Sequence, residues 1–246
     1  VSMHDFSVYA MAFSIASIVT RISGAIASAY YPVLVQEKAS GTEEGLVKAY
    51  HRSCQAVSVV MLPAVFLALL FTPQLLRVWF GEAGYRDEMV PLVRVLMAGS
   101  ALNGIVTMPY YLQLAHQWTR LSFYKNLAAM AVLLPGLYFG IRIYGIHGAV
   151  WIWLLLNMSY FLFEVPVMHR RILRNEKLRY YWQDTGLVLL LSGILSLGIW
   201  YLTGFLDISE IPLIAILLLA GSIQVFLLNR LSSERPLDHF ILKPSS

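Results

Sequence analysis

Seven long apolar stretches, in series and nearly free of charge, constrain this chain more than any other feature. They run from about Phe6 to Val35, Cys54 to Trp79, Met89 to Ala115, Asn126 to Ile143, Ile146 to Met168, Gly186 to Phe205 and Ile211 to Asn229. A helix crossing the hydrocarbon core of a bilayer needs about 20 predominantly apolar residues. A strand of a membrane barrel needs only about 10, in strict alternation, and that alternation is absent. Buried helices of a large soluble protein are the bland alternative. Composition opposes it: the chain is 58% hydrophobic and 13% charged, against about 45–50% and about 25% in ordinary soluble domains. The same figures exclude a soluble enzyme, a disordered chain and a nucleic-acid binder. The reading is therefore all-α, a polytopic membrane helix bundle of about seven transmembrane helices. No stretch has the basic start and small-residue cleavage site of a signal peptide. The single cysteine, Cys54, allows no internal disulfide and no cysteine-based metal site.

The basic residues sort by connection. Cytoplasmic loops carry the Lys/Arg excess. Residues 36–53, 116–125, 169–185 and the tail from 230 hold 13 Lys and Arg, among them Lys38, Lys48, Arg52, Lys125, Arg179 and Lys243. The alternate connections and the helix ends beside them hold 4: Arg77, Arg86, Arg94 and Arg142. That split predicts an N-terminus outside and a C-terminus in the cytoplasm. Aromatic residues fall near the predicted interfaces, at Trp79, Phe80, Trp118, Trp182, Trp200 and Tyr201. The most basic segment, HRRILRNEKLRYYWQD, reads as an orientation signal, with binding of anionic lipid headgroups as the sharper alternative.

Of the 18 basic residues, Arg21 alone lies deep inside a stretch. It is about 15 residues from either end, too far for its side chain to reach the interface easily. An arginine at the bilayer centre costs at least ~2.5–3.5 kcal/mol. It should therefore face a wet cavity or a partner. The first stretch places Ser7, Ala10, Ser14, Ser17, Arg21, Gly24 and Ser28 at steps of three or four, on one helical stripe. Ile15, Ile18, Ile22 and Ile26 form another face, suited to lipid. Two readings of Arg21 stand: an anion-binding group in a substrate pathway, or a structural ion pair or carbonyl clamp. Glu164 is the acid that lies well inside a stretch, and hence the candidate partner. Asn103, Thr107, Tyr110 and Gln113 share one further stripe, and Asn157, Tyr160 and Glu164 another. Such stripes either glue helices together or line a hydrophilic cavity. Pro63, Pro109 and Pro135 lie inside stretches and Pro166 near the end of one, each able to bend its helix. The six histidines read as loop or span-end residues, and soluble catalytic motifs such as HExxH, G-x-S-x-G and the Walker loop are missing.

Three stretches carry a family resemblance. FSVYAMAFSIASIVTRISGAIASAYYPVLVQ has an aromatic start and a Tyr-Pro exit. LLRVWFGEAGYRDEMVPLVRVL has a Phe-Gly turn. PGLYFGIRIYGIHGAVWIWLLLNMSY has a Pro, Tyr-Gly-x-x-Gly-Ala and Asn pattern. Together, over residues 5–175, they resemble the eighth to twelfth helices of polysaccharide (O-antigen type) flippases. These belong to the multidrug/oligosaccharidyl-lipid/polysaccharide exporter superfamily. The resemblance implies one lobe of a two-lobe, MATE-like transporter fold over residues 1–175. Residues 176–246 would add two transmembrane helices and a cytoplasmic tail. It implies flipping of an undecaprenyl-pyrophosphate-linked oligosaccharide across the bacterial cytoplasmic (inner) membrane, coupled to an ion gradient, with no cofactor and no enzymatic step. Arg21 sits where several branches of the family carry an arginine facing the cavity. The expected substrate-facing set is Arg21, Ser17, Gly24, Asn103 and Asn157, with Glu164 as the ion-coupling candidate.

Such a lobe needs a partner lobe to alternate access. With an odd number of spans and a first residue, Val1, that is not methionine, the expectation is an N-terminal lobe elsewhere. It would lie upstream in a longer chain or be separately encoded. The alternatives are a membrane polymerase or ligase of lipid-linked sugars, a drug/cation antiporter of the same superfamily, and a scaffold lobe. The polymerase would want a sizeable outward loop, and the antiporter acidic cavity residues. The expected outward connections, about Phe80–Glu88, Tyr144–Gly145 and Gly204–Glu210, are short.

Overall fold

The computed structural model describes residues 3–205 and 210–237. His239, Lys243 and residues 206–209 of the connection expected at Gly204–Glu210 lie outside them. Every regular element among the described residues is helical. Among the described residues seven helices are long and apolar enough to cross a membrane: α1 (Met3–Ser40), α2 (Glu43–Leu70), α4 (Met89–Ala115), α5 (Thr119–Tyr144), α6 (Ile146–Arg171), α7 (Lys177–Thr203) and α8 (Glu210–Leu231, with its apolar span Pro212–Leu231). A short helix, α3 (Thr72–Gly84), separates the second span from the third. The chain is thus an all-α, multi-pass membrane bundle.

The third stretch matches its helix end for end, but the second does not. α2 starts at Glu43 rather than near Cys54. Leu46, Ala49, Tyr50, Ser53 and Cys54 are buried at steps of one, three and four, while Lys48 and Glu44 remain exposed. This is an amphipathic extension that packs without being uniformly apolar. Trp79 and Phe80 belong to α3, which Pro73 opens in its first turn. The Thr72 hydroxyl donates to the carbonyls of Ala68 (2.7 Å) and Leu69 (3.0 Å), closing α2. Gly81 breaks α3 with φ of 66° and ψ of 169°, the backbone basis of the Phe-Gly turn.

Two spans contain a wide, π-helical turn, at Tyr160–Glu164 in α6 and at Tyr180–Gly186 in α7. In α6 the cause is Pro166: lacking an N–H, it cannot continue the ladder, and the Val165 N–H bonds the Tyr160 carbonyl instead. In α7 the wide turn brings Tyr180, Asp184 and Thr185 together on the buried side.

The alternating connections gather at opposite ends of the bundle. At one end Lys38 donates to the Ala115 carbonyl (3.1 Å), Arg171 stacks 4.3 Å over Trp118, and Arg179 pairs with Glu234 (2.7 Å). At the other His4 meets Glu88 (3.5 Å) and Arg94 donates to the Leu69 carbonyl (3.0 Å). The basic-rich connections therefore share one end. α1 lies parallel to α4 along its length, through Val8, Ala12, Ala16, Val19, Ser23, Ala27, Tyr30 and Leu34. This face differs from both stripes read in the sequence, and Ile15 and Ile26 pack partly against the core beside it rather than wholly outward. α2 is the most buried span, in contact with α1, α4, α7 and α8. α5 lies at the periphery and buries only Ser122.

Candidate functional site

Arg21 lies midway along α1 and is exposed. Among the described residues it makes no hydrogen bond and no ion pair. Around it Ser14 and Ser28 are also exposed, and a Cβ built on Gly24 would meet no atom within 4 Å. Ser17 is half-buried, and its hydroxyl donates to the Ser14 carbonyl (2.7 Å). Ser14 likewise donates to Ala10 (2.8 Å). Ser14 and Ser17 thus satisfy themselves within the helix, while the guanidinium between Ser17 and Gly24 spends no donor on this face. Ser17, Arg21 and Gly24 lie together on it.

Asn103 and Asn157 lie elsewhere, between α4 and α6. The Asn103 Nδ2 donates to Asn157 Oδ1 (2.8 Å), and the Asn157 Nδ2 donates to the Trp153 carbonyl (2.8 Å). Asn157 is fully buried. This is the geometry of two helices held by an amide pair.

Arg21 and Glu164 do not meet. Glu164, 3% exposed, receives Lys125 Nζ at 2.9 Å on one oxygen and Gln113 Nε2 at 3.0 Å on the other. Lys125 belongs to α5, not to a loop, and its ammonium also lies 4.4 Å over the Tyr160 ring. The pair stands in a cleft of about 590 Å³ between α5 and α6, otherwise lined mostly by apolar side chains such as Val132, Leu133, Ile152 and Phe163. Toward the other end the two helices close on each other, where a Cβ on Gly148 would lie 2.1 Å from the Gly140 carbonyl oxygen.

A second buried polar cluster went unread in the sequence. His51 is not at a span end; it is fully buried in α2. Its Nδ1 bonds Asp184 Oδ2, and its Nε2 lies 2.9 Å from Glu176 Oε2. Gln55 Nε2 donates to Asp184 Oδ1 (2.9 Å) and to Ser233 Oγ (3.0 Å). Asp184 is thus a second acid inside a span, hidden by a stretch that reads as starting only at Gly186. His169 is also buried, with its Nε2 3.3 Å from the Tyr50 hydroxyl. The signal available was a run of polar residues at helical spacing, His51, Gln55 and Ser58, across the start of an apolar stretch. Among the described residues no group of His, Cys, Asp and Glu is arranged to hold a metal ion.

Outside the spans, partial burial pushes the His116 imidazole below the ordinary histidine value. A hydrogen bond to the Leu112 carbonyl opposes this shift, and the nearby Lys38 charge adds to it.

Comparison with curated proteins finds a match to the "Putative O-antigen transporter" of Shigella flexneri, 26% identical over 103 residues. The match covers 42% of this chain and 24% of that protein. The chain is distantly similar to an O-antigen transporter. This likeness and the multi-pass bundle support a transport role in general. No family model matches the chain, and no solved structure does.

Proposed function

We propose that this chain is one lobe of a two-lobe flippase. Its substrate is an undecaprenyl-pyrophosphate-linked oligosaccharide, moved across the bacterial cytoplasmic membrane to supply surface polysaccharide. Residues 1–175 are the lobe proper, and residues 176–246 add two spans and a tail. The N-terminus of the chain is outside and the end carrying the basic connections is cytoplasmic.

The observation that carries the reading is Arg21. A guanidinium at the middle of a span is costly in lipid, yet this one spends none of its five donors on the lobe. It stands on an open stripe of small and polar residues. Such a face wants water, an anion or a second lobe. A diphosphate offers the bidentate contact that a guanidinium matches. The limited likeness to an O-antigen transporter points to the same substrate class. Glu164 is less free than a lone ion-coupling acid, because Lys125 already neutralises it.

The test uses the complete protein in cells lacking the native copy. Arg21→Glu should abolish surface polysaccharide while the protein stays in the membrane at its usual level. Arg21→Lys should retain part of the activity, since a point charge replaces the fork. Normal polysaccharide in the Arg21→Glu strain would overturn the reading.

A further inference from the structure

We propose that His51, Asp184 and Glu176 form a buried proton-binding site that clamps α7 and the chain following α8 onto α2. The inference is independent of the transport reading.

It follows from counting donors. Both ring nitrogens of His51 face carboxylate oxygens, Nδ1 that of Asp184 and Nε2 that of Glu176. An ionised carboxylate only accepts, and a neutral imidazole donates from one nitrogen alone. With a neutral ring and two ionised carboxylates, one contact would set a lone pair against a lone pair. Both contacts become hydrogen bonds when one further proton is held, on the second ring nitrogen or on a carboxyl group. The imidazole and the Asp184 carboxyl are both fully buried, and Glu176 is 26% exposed. Water does not stand in for the missing proton at the Asp184 contact.

The surrounding charges do not supply it either. α2 contributes Tyr50, whose ring lies 5.3 Å from that of His51, and the buried Cys54 about one turn on, and α6 contributes His169, which is bonded to Tyr50. α7 contributes Lys177, Arg179 and Tyr180. Of these, Arg179 reaches Glu176 only at 4.0 Å and is bonded more closely, at 2.7 Å, to Glu234. The second Asp184 oxygen is taken by Gln55. Gln55 also holds Ser233, and its Oε1 accepts the Glu234 N–H at 3.2 Å. The proton thus sits where α2, α7 and the segment after α8 converge. Its binding stabilises their junction at low pH, and that contribution is lost as pH rises.

Amide hydrogen exchange on the full chain in lipid nanodiscs tests this, corrected for intrinsic rates, between about pH 5.5 and about pH 9.5. Residues 174–187 and 232–237 should lose about tenfold or more protection at the upper pH relative to α4. His51→Gln should flatten that dependence. Asp184→Asn should flatten it too: the amide donates to the bare ring nitrogen, so a neutral histidine satisfies both neighbours in an isosteric fold. Uniform protection across pH in the wild type would overturn the proposal. So would an unchanged pH dependence in Asp184→Asn.

Discussion

Lys125 Nζ stands 2.9 Å from Glu164 Oε2 and joins α5 to α6 across the cleft that otherwise parts them. Glu164 is almost wholly buried, and Lys125 is 17% exposed. Removing one member of such a pair strands a charge and typically costs ~3–5 kcal/mol, whereas removing both costs far less. Lys125→Met should therefore lower the thermal unfolding midpoint strongly. Lys125→Met combined with Glu164→Leu should recover much of the loss. Two losses that simply add would show that the groups are not coupled.

The amide pair Asn103–Asn157 makes a different prediction from a substrate contact. Interhelical hydrogen bonds in membranes are worth about 0.6 kcal/mol and rarely above about 2. Asn103→Ala should cost about that much. Asn157→Ala should cost more, because the residue is fully buried and also holds the Trp153 carbonyl. Surface polysaccharide should then fall only in step with the amount of folded protein. Loss of polysaccharide at an undiminished folded level in Asn103→Ala would place the pair in the substrate path instead.

What the sequence made legible follows from how each feature is encoded. Met89–Ala115 carries a single charge, Arg94 in its second turn, and its polar residues are scattered through an otherwise apolar run, so composition alone finds both of its ends. α2 begins in residues that are polar on one face and buried on the other, and a uniform apolar window passes over them. The depth of Arg21 in its span was readable because a charge in a long apolar run stands out; its lack of a pairing with Glu164 was not. The true neighbour of Glu164 was not, since Lys125 sits near the start of α5 in a stretch that reads as a loop. The His51–Asp184 contact joins residues 133 positions apart, and neither has a local pattern that names the other. Pairings between elements are fixed by helix packing, which one sequence does not print.

Gly81 holds φ of 66° and ψ of 169°, a region that residues with a Cβ avoid. Space is not the obstacle, since a Cβ there would meet nothing within 4 Å. Gly81→Ala should cost about 1–3 kcal/mol of backbone strain, confined to the α3 break. Limited proteolysis should show faster cutting around residues 78–88 with the spans intact. An unchanged cutting pattern would mean the turn tolerates a side chain.

Gly148 and Gly140 occupy one helix crossing but should not respond alike. A Cβ on Gly148 would lie 2.1 Å from the Gly140 carbonyl oxygen, backbone that moves only if α5 moves away from α6. A Cβ on Gly140 would first meet Ile152 Cδ1 at 2.6 Å, the end of a flexible side chain, with the Gly148 backbone at an ordinary 3.6 Å. Overpacking costs typically ~1–3 kcal/mol. Gly148→Ala should fall in the upper part of that range and Gly140→Ala below it. α5 has few contacts besides those with α6, so moving away from the crossing sacrifices the packing that holds it. Thermal unfolding of both variants in the same detergent gives the ranking, and hydrogen exchange along residues 119–144 locates the loss. Equal destabilisation, or a milder Gly148→Ala, would show that α5 shifts freely and that the crossing is not what holds it.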